Sequence, residues 1–183
     1  MNQKHLPEGP LVVTTKALGR RPGTMRELIR EVPAPAGIGL EMISIPLGEP
    51  LRLNLQIESV AEGVLVSGNV RSRAEGECGR CLGAAEQDVD VSITELYAYP
   101  GSATDETTDE DEVSRLIDDR IDLEPAICSA IVLELPLTPL CSPQCEGLCD
   151  GCGEPWAQLP SDHEHALVDP RWAALQEKFS AAD

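Results

Sequence analysis

The sequence predicts an α+β fold: a curved antiparallel sheet or partly open β-barrel, short flanking helices, and a Cys-based zinc knuckle. Three observations predict it. Apolar and polar side chains alternate with period two in several runs between residues 40 and 99. The spacing switches to that of one helix face over Leu123 to Leu135. Six of the seven cysteines fall in two clusters built on short Cys-x(2–3)-Cys spacings. A chain of 183 residues, 42% hydrophobic, suffices for one principal domain with tails. With aromatics at only 3%, its core must be built from Leu, Ile, Val and Ala.

Residues 1–36 read as a basic N-terminal arm. Arg20-Arg21-Pro22-Gly23 makes a turn, after which Thr24 can cap a short helix from Met25 to Glu31, with Glu27 placed as in a capping box. Residues 37–155 read as the sheet domain. Leu40, Met42, Ile43 and Ile45 open it, Leu51, Leu53, Leu55 and Ile57 alternate strictly, and Val64 to Arg73 and Val89 to Tyr99 supply two further strands. Residues 101–112, GSATDETTDEDE, have six acids in their last eight positions and read as a solvated, mobile loop. The helix over 123–135 ends where Pro136 and Pro139 force the chain out of helical geometry. Residues 156–183 form an acidic tail. In it Asp169, Pro170, Trp172, Leu175 and Phe179 have the spacing of a capped amphipathic helix.

The formal charge of −18 should repel bare nucleic acid over most of the surface. The scarcity of aromatics leaves few platforms on which unpaired bases could stack. Residues 1–30 differ, with six basic side chains against two acidic ones; the other 153 residues hold 8 basic and 30 acidic groups, a net of −22. If RNA is touched directly, Arg20, Arg21, Arg26 and Arg30 are the candidate phosphate partners; otherwise a basic protein suits the acidic body better. No run approaches the roughly 18 apolar residues of a membrane span, and MNQKHLPEGP lacks the apolar stretch of a secretory signal. The expected location is therefore cytoplasmic, where thiols stay reduced and Cys-x-x-Cys is more often a metal or catalytic site than a disulfide.

The candidate metal ligands are Cys78, Cys81, Cys141, Cys145, Cys149 and Cys152. Structural zinc takes four tetrahedral ligands, and two intervening residues let a pair of sulfurs face one point. Two groupings are open. Cys141, Cys145, Cys149 and Cys152 could bind an ion by themselves; alternatively, Cys78 and Cys81 could meet one pair of the second cluster and tie the sheet to the C-terminal segment. Cys128, within the helix, reads as an ordinary helix residue. Four thiolates would close the coordination sphere, and no catalytic frame is recognisable: His163 and His165 lack a His-Glu-x-x-His pattern, and no Gly-rich phosphate loop occurs. The expectation is a non-catalytic protein with no small-molecule substrate, the competing reading being a Cys-x-x-Cys thiol-disulfide oxidoreductase.

Cys78-Gly-Arg-Cys81-Leu after paired strands, the acidic loop, Ile121-Asp122-Leu123, the run Ile131 to Leu140 and Cys141-x3-Cys145-Glu-Gly-Leu-Cys149-x2-Cys152-Gly occur together in one order. This arrangement resembles the YceD family, the bacterial large-subunit ribosomal RNA accumulation proteins, described as metal-binding, with nucleic-acid binding suggested. The resemblance spans roughly residues 20 to 180 and includes Asp169-Pro170-Arg171. It implies a role in large-subunit rRNA processing and ribosome assembly, with precursor rRNA or basic ribosomal proteins as partners.

Overall fold

The computed structural model of the chain describes residues 8–35, 37–109 and 113–165. Its strands are β1 (Val12–Thr14), β2 (Met25–Pro33), β3 (Ile38–Gly39), β4 (Ile43–Ile45), β5 (Pro50–Ser59), β6 (Gly63–Glu77) and β7 (Ala84–Ala98). There follow α1 (Ala103–Thr107), β8 (Ser114–Arg115), β9 (Arg120–Asp122) and α2 (Glu124–Glu134). The amphipathic helix expected over 169–179 lies outside the described residues.

The period-two runs become strands whose two faces differ in chemistry. Leu51, Leu53, Leu55 and Ile57 of β5 are all buried, while Arg52, Asn54, Gln56 and Glu58 between them are not. Val64, Val66, Val70 and Ala74 of β6, and Val89, Val91, Ile93 and Tyr97 of β7, extend the same apolar face. β6 is the spine of a seven-stranded sheet. One of its edges pairs with β5 from Val64 to Arg71 and then with β4 at Glu75 and Gly76; the other pairs with β7 along its whole length, Gly63 opposite Ala98 through Glu77 opposite Ala84. β2 lies outside β5 and β3 outside β4, and β8 pairs in parallel outside β7. Among the described residues the outer strands do not pair with one another, so the sheet is not closed.

A separate ribbon of β1 and β9 contributes Val13 and Ile121 to the core, and Leu11 and Leu123 flank it there. α2 rests on β7 and β3 and buries Ile127 and Ile131 completely. Its start follows from local chemistry: the Asp122 carboxylate accepts from the Glu124 N–H at 3.0 Å, and Pro125 sits in the first turn, where its missing N–H costs nothing. Buried hydroxyls are satisfied: Ser59 and Tyr99 bond at 2.9 Å, and the Tyr97 hydroxyl donates to the Asp122 carbonyl at 2.9 Å. Burial, then the nearby Glu95 and Asp122, raise the pKa of Tyr97.

Two local expectations are corrected. The helix expected over Met25 to Glu31 is strand β2, paired with β5 from Met25–Glu58 to Pro33–Pro50. Thr24, expected to cap that helix, instead accepts the Ser59 N–H through its carbonyl and extends the ladder. Nine residues of pairing, with Leu28 and Val32 buried against the β5 row, outweigh helix propensities of a few tenths of a kcal/mol per residue. Within the described part of the acidic stretch, Ala103–Thr107 form the short helix α1 rather than loop. Ser102 caps α1 by accepting from the Asp105 N–H at 3.2 Å, and Asp105 is held by the Arg115 guanidinium. The Gly101 amide, then Arg115, keep the Asp105 carboxyl below its usual range.

Candidate metal centre

The β6–β7 turn carries the first cysteine pair. Glu77 ends β6, and after residues 78–83 the chain reverses into β7, held by the Cys78 N–H on Gly83 O (2.7 Å) and the Leu82 N–H on Cys78 O (2.9 Å). In this knuckle the Arg80 N–H points at Cys78 Sγ, 3.5 Å away. The segment leaving α2 brings the second pair. Gly79 N–H donates to Pro139 O at 2.8 Å, and Arg80 Nη1 donates to Cys145 O at 2.8 Å, so the two segments are sewn together on both sides of the sulfurs. Gly79 makes this approach close: a Cβ there would lie 2.5 Å from Thr138 Cγ2, so the exposed threonine side chain would have to move.

Four sulfurs from stretches more than sixty residues apart in places converge as a result. Cys78 and Cys145 Sγ are 3.7 Å apart, Cys81 and Cys141 Sγ 3.6 Å, and all four lie within 4.8 Å of one another. A tetrahedron with Zn–S of about 2.3 Å has edges of about 3.8 Å, whereas a disulfide needs about 2.05 Å. The geometry therefore suits a shared cation, and all seven cysteines are free thiols. Of the two groupings open from sequence, the fold brings together the one that joins the sheet to the segment after α2.

The electrostatics of the cluster are uneven. Backbone amides of Cys81, then Cys141 and Arg80, point at the Cys78 sulfur and hold its thiol down to about 6, against an ordinary 9.0, although burial opposes them. Cys141 moves the other way, pushed up to about 12, because its proton is shared with the sulfurs of Cys145 and Cys81. Cys128 stands apart. It packs half-buried against the core from α2, and burial, then Glu124, raises its pKa.

Cys149 and Cys152 are not in this cluster. They lie with His163 and His165 in a second group whose four ligand atoms are also within 4.8 Å of one another. Sequence reasoning passed over these histidines because it looked for a helical two-histidine frame. The available signal was Cys-x2-Cys followed, eleven residues on, by His-x-His. Either group could hold a metal ion.

The four arginines occupy different elements. Arg20 lies in the turn before β2, its guanidinium 5.0 Å from the Tyr99 ring centre and 3.9 Å from Asp119, and Arg21 is exposed beside it. Arg26 and Arg30 share the face of β2 that carries Leu28 and Val32, at the rim of the sheet. Among the described residues, no helix is long and apolar enough to cross a membrane.

Comparison with known proteins places the chain. An uncharacterized protein of Mycobacterium tuberculosis, Rv2926c, is 54% identical over 175 residues, covering 96% of this chain and 84% of that protein. An uncharacterized protein of Mycobacterium leprae is 45% identical over 178 residues, covering 97% and 81%. The uncharacterized protein YlbN of Bacillus subtilis is 32% identical over 107 residues, covering 58% and 60%. No solved structure matches. Residues 66–177, which contain all but the first three residues of the β6–β7 hairpin, α2 and every cysteine of both clusters, match the family described as large ribosomal RNA subunit accumulation protein YceD. The chain belongs to the YceD family of large ribosomal RNA subunit accumulation proteins.

Proposed function

We propose that Cys78, Cys81, Cys141 and Cys145 bind one zinc ion as a closed structural site, and that the protein so stabilised is a non-catalytic cytoplasmic factor in the accumulation and assembly of the large ribosomal subunit. The observation that carries this reading is the convergence of four sulfurs from two remote segments at tetrahedral spacing. A divalent cation would replace the protons these thiols share, and amides already aimed at Cys78 favour its thiolate. Zinc fits the all-sulfur donor set, and four thiolates leave no position open for water or substrate.

The oxidoreductase alternative is less well supported. An exchange reaction needs an accessible thiolate, and the two sulfurs with lowered pKa, Cys78 and Cys149, are both buried, at 0% and 4% exposed.

The family description supports the link to large-subunit rRNA, and charge supports the kind of partner. Among the described residues Arg20, Arg52, Arg71, Arg73 and Arg115 are already ion-paired with acids. With a net charge of −18, this favours docking on a basic ribosomal protein of the precursor particle. Direct contact with precursor rRNA would instead use Arg20, Arg21, Arg26 and Arg30.

The test is complementation. Cells depleted of the protein should lose large-subunit relative to small-subunit rRNA, and the wild-type chain should restore it where Cys81→Ser/Cys141→Ser does not. Unchanged rRNA on depletion contradicts the assembly role. Co-sedimentation with precursor particles that survives alanine at all four arginines supports the protein-mediated contact, and its loss supports contact with RNA.

A further inference from the structure

The segment after the first cluster builds a loop of its own. Cys149 N–H donates to Glu154 O at 2.8 Å, Gly153 N–H returns to Cys149 O at 2.8 Å, and Leu148 bridges Pro155. The chain then makes a single 3-10 turn, Trp156–Gln158, and a further turn in which His163 N–H donates to Pro160 O at 3.0 Å. These turns return two imidazoles to the loop. His163 Nε2 lies 3.5 Å from Cys149 Sγ and 3.5 Å from Cys152 Sγ. Its ring is set edge-on against Trp156 at 5.7 Å and against His165 at 4.4 Å. Gly151, between the two cysteines, is the seat of the second imidazole: a Cβ there would fall 2.3 Å from His165 Cδ2.

We propose that Cys149, Cys152, His163 and His165 form a second metal centre, separate from the four-sulfur cluster, that takes one divalent cation of zinc's class in a two-thiolate, two-imidazole site. A tetrahedral ion with bonds of about 2.3 Å to sulfur and about 2.0–2.1 Å to nitrogen sets sulfur and nitrogen about 3.6 Å apart. Both sulfur–nitrogen distances at His163 match that edge. Thiolate with imidazole selects zinc over magnesium or calcium, which prefer oxygen. The inference does not depend on the first centre, since all its ligands come from residues 149–165. It also sets an order of release. Each group has one buried ligand, but the second has two exposed ones, Cys152 and His165, against Cys141 alone in the first, so a chelator should strip the second ion first.

The test is ion stoichiometry by native mass spectrometry on the full chain loaded with zinc, with cobalt(II) absorption reporting the donor set. Wild type is expected to carry two ions, and His163→Ala/His165→Ala one, with a four-thiolate cobalt spectrum. Cys81→Ser/Cys141→Ser, where circular dichroism shows it folded, is expected to keep one ion with a mixed sulfur–nitrogen spectrum. A histidine double variant that still carries two ions overturns the proposal, as does a folded Cys81→Ser/Cys141→Ser that binds none. A wild-type chain with one ion, lost on replacing the histidines, would sink the four-sulfur reading and leave this one standing.

Discussion

The two cysteine-bearing clusters use similar atoms for different structural work. The four-sulfur cluster joins the β6–β7 turn to the chain leaving α2 and so closes loops of sixty residues and more, whereas the mixed cluster closes a loop within residues 149–165. Chain entropy alone barely distinguishes them: a crosslink across about 60 residues constrains the unfolded chain by about 4 kcal/mol and one across about 15 residues by about 3 kcal/mol. What differs is the structure each crosslink holds. An ion at the first would pin the chain leaving α2, with its fully buried Ile127 and Ile131, to the long hairpin at the centre of the sheet. An ion at the second would organise only its own loop. Global stability should therefore follow the first centre, and local order the second.

The largest effect expected is that of breaking the first centre. Cys81→Ser/Cys141→Ser should lower global stability by about 4 kcal/mol, while His163→Ala/His165→Ala should leave the main melting transition within about 0.5 kcal/mol of wild type. Calorimetry checks both, and equal losses would break the contrast. Next is Ile131→Ala, which removes the anchor of the helix leading to Cys141; a cost of about 2–5 kcal/mol is expected in denaturant unfolding. The second centre should keep its ion in that variant.

A smaller and sharper effect is expected at Gly79. Gly79→Ala puts a methyl group against Thr138 and should cost about 1–3 kcal/mol with faster zinc loss; adding Thr138→Ala should recover most of it, measured as a double-mutant cycle. The smallest effect is remote from both clusters. Tyr97 has a raised pKa in the fold, so its contribution is complete below the unfolded value near 10 and is lost as pH rises beyond it. Tyr97→Phe should cost about 1 kcal/mol at neutral pH, by loss of the bond to Asp122 O, and should flatten the decline of stability above about pH 10.

The same contrast between local and remote organisation governs what the sequence reveals. β5, β6 and β7 are legible because each half-buried strand writes its two faces directly as alternation, and α2 because residues 127, 131 and 135 repeat at helical spacing. β2 is not legible. Its two buried residues, Leu28 and Val32, are four apart, as on a helix, and the intervening position on the same face is Arg30, which reaches solvent at the sheet's rim. Thr24 and Glu27 then imitate a cap whose groups belong to a ladder. The cysteine types and spacings announce metal chemistry, but their partition depends on where the helix delivers Cys141, a tertiary fact. The histidines were legible only as a spacing that belongs to no helix.

Zinc-edge X-ray absorption on His163→Ala/His165→Ala, purified without added metal, tests the central claim most directly. The account predicts one zinc per chain with a single shell of four sulfurs at about 2.3 Å, which disappears on chelation together with a fall in melting temperature. Absence of stoichiometric zinc, or a shell of oxygen and nitrogen near 2.0 Å, would contradict it.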